Sequence, residues 1–355
     1  MSLCVSAHLI RRIAVIGLSL GAGSVLAACS SMGNSELADV MGDATPVESP
    51  VSRDADGEIL SDVFADGTVI DIEHIGNILA VRGEDSLAFG TVEQFQAGQS
   101  REVAVDKQCG ELTANSETFV LACGEKVIEY SGPEFEAVET AVDPEYPATS
   151  AVRLTTGELL TANSDSARVV LYKGEEKPHI IEVEKYTTQL LSSPVDDGPD
   201  AVIRTLSEDT TIQDIDWSNG KQGARLRVGL GIGRVAPGPD GLFLASDTTG
   251  GQLMVYTADD VIRLHQAGPV DESPWAVAWD PHRNVAWVAS TANNLATAYD
   301  ISTGVQQPEF EIRTVADARS MVVLADGTIV TGSATGDGLQ IISEPRSSTK
   351  EKIDE

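Results

Sequence analysis

The sequence is poor in basic residues, and this shortage excludes one broad class of function. Its 355 residues contain 24 lysines and arginines against 55 aspartates and glutamates, so the formal net charge is -31 at pH 7. Nucleic-acid binding needs a basic face that displaces the counterions of phosphates, and an anionic membrane surface also attracts basic patches. We therefore expect no nucleic-acid partner and no electrostatic attachment to a membrane. The acidity itself favours solubility outside the cell.

Histidines are also few, and their spacing indicates no metal site. After residue 29 they are scattered singly, with no H-x-H or H-E-x-x-H motif, at His74, His179, His265 and His282. The segment DIDWSNG (214–220) imitates the start of a calcium loop, but its glycine comes one position late and Arg225 stands where a bidentate glutamate is needed. We predict a strand that enters a tight turn there, and we expect no cofactor.

No apolar run is long enough to cross a membrane. The stretch IAVIGLSLGAGSVLAAC (13–29) follows Arg11 and Arg12 and is shorter than the about 20 residues that a spanning helix needs. A positive start before a short apolar run is typical of a secretory signal, so we predict a signal peptide over residues 1–28.

The end of this stretch, Leu-Ala-Ala-Cys, resembles a bacterial lipobox, in which the cysteine is acylated and becomes the new N terminus. The resemblance implies that Cys29 carries acyl chains such as palmitate. These chains would hold the protein at the extracytoplasmic face of the cell membrane, because two or more give stable anchoring. An ordinary cleaved signal with a chance cysteine is the alternative.

Cysteine is scarce, which limits the possible pairings. Cys4 would leave with the signal peptide and Cys29 would be lipidated, so Cys109 and Cys123 remain. An even pair in an exported protein predicts a disulfide. A turn at Asn115-Ser116-Glu117 would fold a hairpin that places the two cysteines on neighbouring strands. A redox or metal pair is the alternative, but the spacing is not C-x-x-C.

Sustained helical periodicity is missing after residue 29, whereas short strand-like runs recur. The small residue that ends the first run of each unit recurs every 40 to 44 residues, with one double interval that predicts a degenerate unit near residue 204. These residues are Ala80, Ala122, Ala162, Ala245, Ala289 and Gly332. A period of this length with several short strands is typical of a β-propeller blade. We predict an all-β, seven-bladed β-propeller over residues 59–345, after a disordered tether (29–58) and before a flexible tail (346–355).

Residues 246–304, from SDTTGGQLMVY to VASTANNLATAYDISTG, carry a resemblance to known propellers. They are similar to YncE-like and quinoprotein-like propellers, in which an A-x-D-x-x-T-G hairpin marks the outer strand of a blade. Lipobox, tether and propeller together resemble the actinobacterial prolipoprotein LppL family. This resemblance implies a lipid-anchored propeller of the cell envelope and leaves its activity open. A bound quinone is not expected, because the hairpin occurs once and lacks the tryptophan that should follow it.

Two further motifs have structural interpretations. GLGIG (229–233) is not followed by the residues of a phosphate-binding loop, and we expect it to let strands approach closely near the propeller axis. Trp275, Trp279 and Trp287 fall in one blade. They could form a platform for a sugar or peptide, but the alternation of Trp275 and Trp279 favours core packing.

The sequence brings no catalytic set together. We therefore predict a rigid, non-catalytic binding or scaffold platform, whose partner is an envelope protein or a small ligand that the sequence does not identify. The alternative is a propeller enzyme, either a calcium-dependent lactonase or hydrolase or a quinone-dependent dehydrogenase. Three or more carboxylate or amide oxygens converging on an axial metal would favour the enzyme.

Overall fold

Seven antiparallel sheets follow one another along residues 41–347, which is the part of the chain that the computed structural model describes. Their strands are rich in β-branched residues and are bounded by glycine, asparagine and aspartate turns. Within each sheet, the three strands nearest the axis pair in chain order from the axis outward. The predicted seven-bladed β-propeller is confirmed.

The first strand, β1 (Glu58–Leu60), precedes blade 1 in the chain. Blade 1 comprises β2 (Asp71–Ile75), β3 (Ile78–Arg82), β4 (Ser86–Thr91) and β5 (Arg101–Ala104), with helix α1 (Val92–Gln96) before β5. Blade 2 comprises β6 (Leu112–Ala114), β7 (Thr118–Cys123), β8 (Lys126–Ser131) and β9 (Glu136–Ala141). Blade 3 comprises β10 (Ser150–Arg153), β11 (Leu159–Ala162), β12 (Arg168–Tyr172) and β13 (His179–Glu182). Blade 4 comprises β14 (Leu190–Ser193), β15 (Ala201–Leu206), β16 (Thr211–Asp216) and β17 (Lys221–Arg227), with a 3-10 turn at Trp217–Asn219.

The last three blades complete the ring. Blade 5 comprises β18 (Ile232–Pro237), β19 (Leu242–Asp247), β20 (Gln252–Thr257) and β21 (Arg263–Pro269). Blade 6 comprises β22 (Pro274–Asp280), β23 (Val285–Ser290), β24 (Leu295–Asp300) and β25 (Gln307–Arg313). Blade 7 begins with β26 (Ala318–Val323), β27 (Ile329–Ser333) and β28 (Leu339–Ile342), and β29 (Arg346–Ser347) follows it in the chain.

The small residues that set the repeat all lie in the second strand of their blades. In the degenerate fourth unit this strand carries Arg204 instead, with 1% of its surface exposed. Its guanidinium donates to Gln213 Oε1 at 2.8 Å and to the carbonyls of Glu184 and Tyr186 at 2.7 Å. A buried arginine with this many acceptors is tolerated, which explains why blade 4 keeps the fold while losing the pattern.

The two ends of the described chain close the ring. β1 pairs with β28, with Glu58 opposite Ile341, and so supplies the outer strand of blade 7. β29 adds a fifth strand to blade 6, with Phe310 opposite Ser347. Packing reinforces this closure, because Leu79 of blade 1 and Leu339 of blade 7 belong to one fully buried cluster.

Residues 41–57, which we name the strap, lie on the propeller. Gly42 N donates to Leu230 O at 3.1 Å, and Val47 N donates to Ser273 Oγ at 2.9 Å. At the C-terminal end of the strap, the carboxylate of Asp56 forms ion pairs with Arg313 at 3.3 Å and with Arg346 at 2.5 Å. Residues 41–57 therefore contact the propeller, whereas a disordered tether was expected over residues 29–58. The signal peptide, Cys29 and residues 30–40 lie outside the described residues, as do residues 348–355 of the expected tail.

The strap crosses one particular face of the ring. Its partners on blades 5 to 7 include Leu230, Ser273 and Thr314, which lie just before an inner strand, and Thr291, which lies just after a second strand. In antiparallel blades the start of the first strand and the end of the second lie at the same end. We call this end the upper face.

The predicted disulfide between Cys109 and Cys123 is confirmed. The hairpin of β6 and β7 turns at Asn115, whose Oδ1 accepts hydrogen bonds from the backbone of Glu117 and Thr118. Within residues 41–347 no helix is both long enough and apolar enough to cross a membrane.

Candidate functional site

The inner strands surround an axial cavity of about 110 Å³. Polar side chains from blades 1, 2, 4, 5 and 7 line it, and they are Asp71, Glu73, His74, Glu111, Gln189, Arg234, Arg319 and Ser320. Three of the polar positions, Asp71, Glu111 and Gln189, lie at or just before the start of their inner strands. They therefore lie at the upper end of the axis, on the face that the strap crosses.

Arg234 reaches across the axis from blade 5 to blades 1 and 2. Its Nη1 forms an ion pair with Glu111, and its Nη2 lies 3.4 Å from Asp71 Oδ1. Gln189 of blade 4 donates from Nε2 to Glu111 Oε2 at 3.2 Å and accepts from Val235 N at 3.1 Å. The guanidinium from blade 5 thus joins the carboxylates of blades 1 and 2 across the axis. The amide of Gln189 from blade 4 holds Glu111 in place.

The protein environment shifts the pKa values of this network. Burial raises the pKa of Asp71 to about 6, although Arg234 and the backbone N–H groups of Ile72 and Leu112 oppose the increase. The pKa of Arg234 is raised, because the attraction of Glu111 and Asp71 outweighs its burial. Arg234 therefore stays charged at any physiological pH and holds both carboxylates as its counterions.

Glu73 differs from the other axial acids. It is half-buried, and no described residue forms a hydrogen bond or ion pair with its side chain. Burial, and then the neighbouring charge of Asp71, raise its pKa well above the usual range. Next to it in the chain, burial lowers the pKa of His74, whose Nδ1 lies 3.1 Å from Gly76 O. The cavity therefore contains an acid whose pKa is raised and an imidazole whose pKa is lowered.

The three tryptophans of blade 6 have different environments. Trp287 is fully buried and donates from Nε1 to Asp280 Oδ2 at 3.1 Å, which confirms core packing for this residue. Trp275 and Trp279 are half-buried, and Trp279 lines the axial cavity. A bulge between Pro274 and Val277 interrupts the simple alternation that favoured a core position for both.

The remaining motifs have structural roles. DIDWSNG ends β16 and turns through the 3-10 segment to Gly220 at φ 65°, as predicted. In GLGIG, a Cβ on Gly233 would lie 2.3 Å from Thr248 Oγ1, which confirms the close approach beside an inner strand. AYDISTG joins β24 to β25 as a blade hairpin. Among residues 41–347, no group of three or more histidine, cysteine or acidic side chains is placed to hold a metal ion.

Sequence reasoning did not find the axial network. Asp71, Glu111, Gln189 and Arg234 come from four blades, and each stands in a different local sequence. Their shared signal is position, since each lies near the start of an inner strand. Aligning the repeat on first strands instead of second strands would have grouped them.

Comparison with known proteins supports the fold. No family model matches the chain, and no curated protein matches it by sequence. Among solved structures, it resembles a streptogramin B lyase at 14% identity, with a TM-score of 0.62 over 81% of this chain and 96% of the other. It also resembles virginiamycin B lyase from Staphylococcus aureus at 12% identity, with a TM-score of 0.59 over 80% and 97% of the two chains.

A non-lyase propeller is equally similar. The β-propeller domain of Swd1 from Myceliophteria thermophila matches at 12% identity, with a TM-score of 0.63 over 79% of this chain and 98% of that domain. Identities this low establish the fold alone. The chain is a seven-bladed β-propeller with a charged axis. The solved structures that it resembles include lyases and also a propeller domain whose name does not describe an enzyme.

Proposed function

We propose that the protein is a non-catalytic binding or scaffold propeller, held by lipid on Cys29 at the extracytoplasmic face of the cell membrane. The observation that carries the non-catalytic part is the pairing of Arg234 with Asp71 and Glu111. A metal-dependent propeller enzyme needs axial oxygens with free lone pairs. Here the carboxylates of Asp71 and Glu111 are already paired with a guanidinium of the same chain, which leaves Glu73 as a single unpaired axial carboxyl among the described residues.

The lipid anchor rests on the lipobox-like end of the signal, LAAC, and on the charge of the chain. A net charge of -31 would repel an anionic membrane surface, so acyl chains are the attachment that remains. Cells fed an alkynyl palmitate analogue should incorporate it into the native chain and not into Cys29→Ala, which should leave the membrane fraction. Labelled, membrane-bound Cys29→Ala would refute the anchor.

A hydrolase or lyase is the second candidate, and Glu73 and His74 favour it. An acid with a raised pKa and an imidazole with a lowered pKa in one cavity are groups that general acid–base catalysis uses. The purified chain should be assayed against lactones and against streptogramin B antibiotics, beside Glu73→Gln and His74→Ala. Our proposal predicts no turnover above buffer for any of the three. Turnover by the native chain that both substitutions abolish would establish the enzyme instead.

A further inference from the structure

A cleft of about 600 Å³ lies between the outer strands of blades 1 and 2, away from the axis. Its two walls consist of alternate residues on three outer strands, namely Arg101 and Val103 on β5, Lys126, Ile128 and Tyr130 on β8, and Ala137 and Glu139 on β9. Because side chains alternate along a strand, these residues present two facing surfaces. The volume lies within the range of about 300–1,000 Å³ that is typical of small-molecule sites.

The outer strand of blade 1 is one of the short ones in the ring. β5 has four residues, as β13 of blade 3 does, whereas the outer strands of blades 4, 5 and 6 have seven each. Helix α1 and the turn after it precede β5. A shorter outer strand offers fewer side chains to cover the next blade, so Ile128 and Val103 stay half-buried.

The floor of the cleft is aromatic and is already in place. The ring of Phe135 stacks on Phe89 with centroids 4.7 Å apart and planes 10° apart, and Tyr130 lies 5.0 Å from Phe89. Phe135 has a φ of 48°, a conformation that is costly for a bulky side chain and persists where its surroundings fix it. The rings therefore form a preorganised apolar surface.

One cation at the cleft has no partner. Arg101 is exposed, and no described residue forms an ion pair or hydrogen bond with its side chain. Lys126 across the cleft is neutralised by Glu139 at 2.6 Å. Polar residues also line the cleft, and among them Asp106 accepts a hydrogen bond from Gln108 N at 2.9 Å. The apolar walls beside one unpaired guanidinium are complementary to a molecule with an apolar body and one anionic group.

We propose that this cleft binds a fatty acid. The acyl chain lies along Ile128, Tyr130 and Phe135, and the carboxylate pairs with Arg101. This site is separate from the axis, so the proposal does not depend on what the axial cavity does.

Displacement of a fluorescent fatty acid from the purified full chain tests the proposal, with dodecanoate and dodecan-1-ol as competitors. Arg101→Glu should weaken dodecanoate about tenfold and leave the alcohol within about twofold, because only the acid uses the guanidinium. Arg53→Glu is the matched control, since Arg53 is also exposed and unpaired among the described residues. It should change neither competitor.

Ile128→Asp and Val103→Asp place a charge on opposite walls, and each should weaken both competitors at least about tenfold. Two walls are used so that a folding defect in one variant, seen by circular dichroism, leaves the other informative. The proposal is wrong if dodecanoate does not bind below about 1 mM, if Arg53→Glu weakens it as much as Arg101→Glu, or if both wall variants retain native affinity.

Discussion

At the scale of single residues, Arg234 is the side chain on which the axis depends most. Its side chain is 23% exposed and that of Asp71 is 9% exposed, so their charges are mostly shielded from solvent. We predict that Arg234→Ala lowers the free energy of unfolding by about 3 kcal/mol at pH 8, because it leaves Asp71 and Glu111 close together without a counterion. Urea unfolding measures the loss.

Arg263→Ala is the control for this prediction. Its partners Asp259 and Asp260 are exposed, so both carboxylates stay hydrated when the guanidinium is removed. Its removal should cost about 1 kcal/mol or less. An equal loss in both variants would show that Arg234 has no special role across the axis.

Asp214 gives a prediction about pH. It is 7% exposed, and burial, followed by the charges of Asp216 and Asp260, raises its pKa to about 7. A group whose pKa is higher in the folded state stabilises the fold below its unfolded pKa of about 3.8 and loses that contribution as pH rises toward 7. Asp214→Asn should therefore stabilise the protein at pH 8 by on the order of 2 kcal/mol and have little effect at pH 4.

Chemical denaturation between pH 4 and pH 8 measures this slope. Asp300→Asn is the control, because a hydrogen bond from Ser302 N lowers the pKa of this exposed carboxyl and keeps its titration out of the window. A native chain whose stability follows the same pH dependence as Asp214→Asn would contradict the argument.

At the scale of structural elements, the strap is the feature whose contribution most needs measurement. Ser49 Oγ donates to Thr291 O at 2.7 Å and accepts from Asp317 N at 2.8 Å, and Ser52 Oγ donates to Thr314 O at 2.6 Å. We predict that replacing both serines by alanine costs about 1–2 kcal/mol of local stability. Limited proteolysis should then cut residues 41–57 several-fold faster, because cleavage follows local opening.

The variant Glu48→Ala with Arg53→Ala is the control for the strap. Both side chains are exposed and bond to none of the described residues, so the cutting rate should stay unchanged. Equal acceleration in the two double variants would mean that composition, and not the hydrogen bonds, sets the rate.

The elements also show which features a sequence can reveal. The disulfide and the turn at Asn115 were predictable because their partners lie within one hairpin. The strap was not, since serines and prolines after a predicted signal are typical of a linker. Its partners also lie far away in the chain, as in Ser49 and Thr291, which are 242 residues apart. The closing strand β1 was not predicted for the same reason, because its partner lies at the other end of the described chain, where Glu58 pairs with Ile341.

At the scale of the whole molecule, the repeat predicted the ring but not its axis. A spacing that recurs in every blade is a local property, so the second strands could be found even where Arg204 replaces the usual small residue. The axial network depends on closure, which brings Asp71 of blade 1 beside Arg234 of blade 5. Our proposal of a scaffold instead of a metal-dependent enzyme depends on the pairing of those two residues.

Calorimetric titration of Ca²⁺ and Mg²⁺ into the purified, chelator-treated chain tests this central claim directly. The account predicts no saturable heat at millimolar metal, since the guanidinium of Arg234 holds Asp71 and Glu111, and Glu73 alone offers too few ligands for a cation. Stoichiometric binding at micromolar metal that disappears in Asp71→Asn and Glu111→Gln would contradict it.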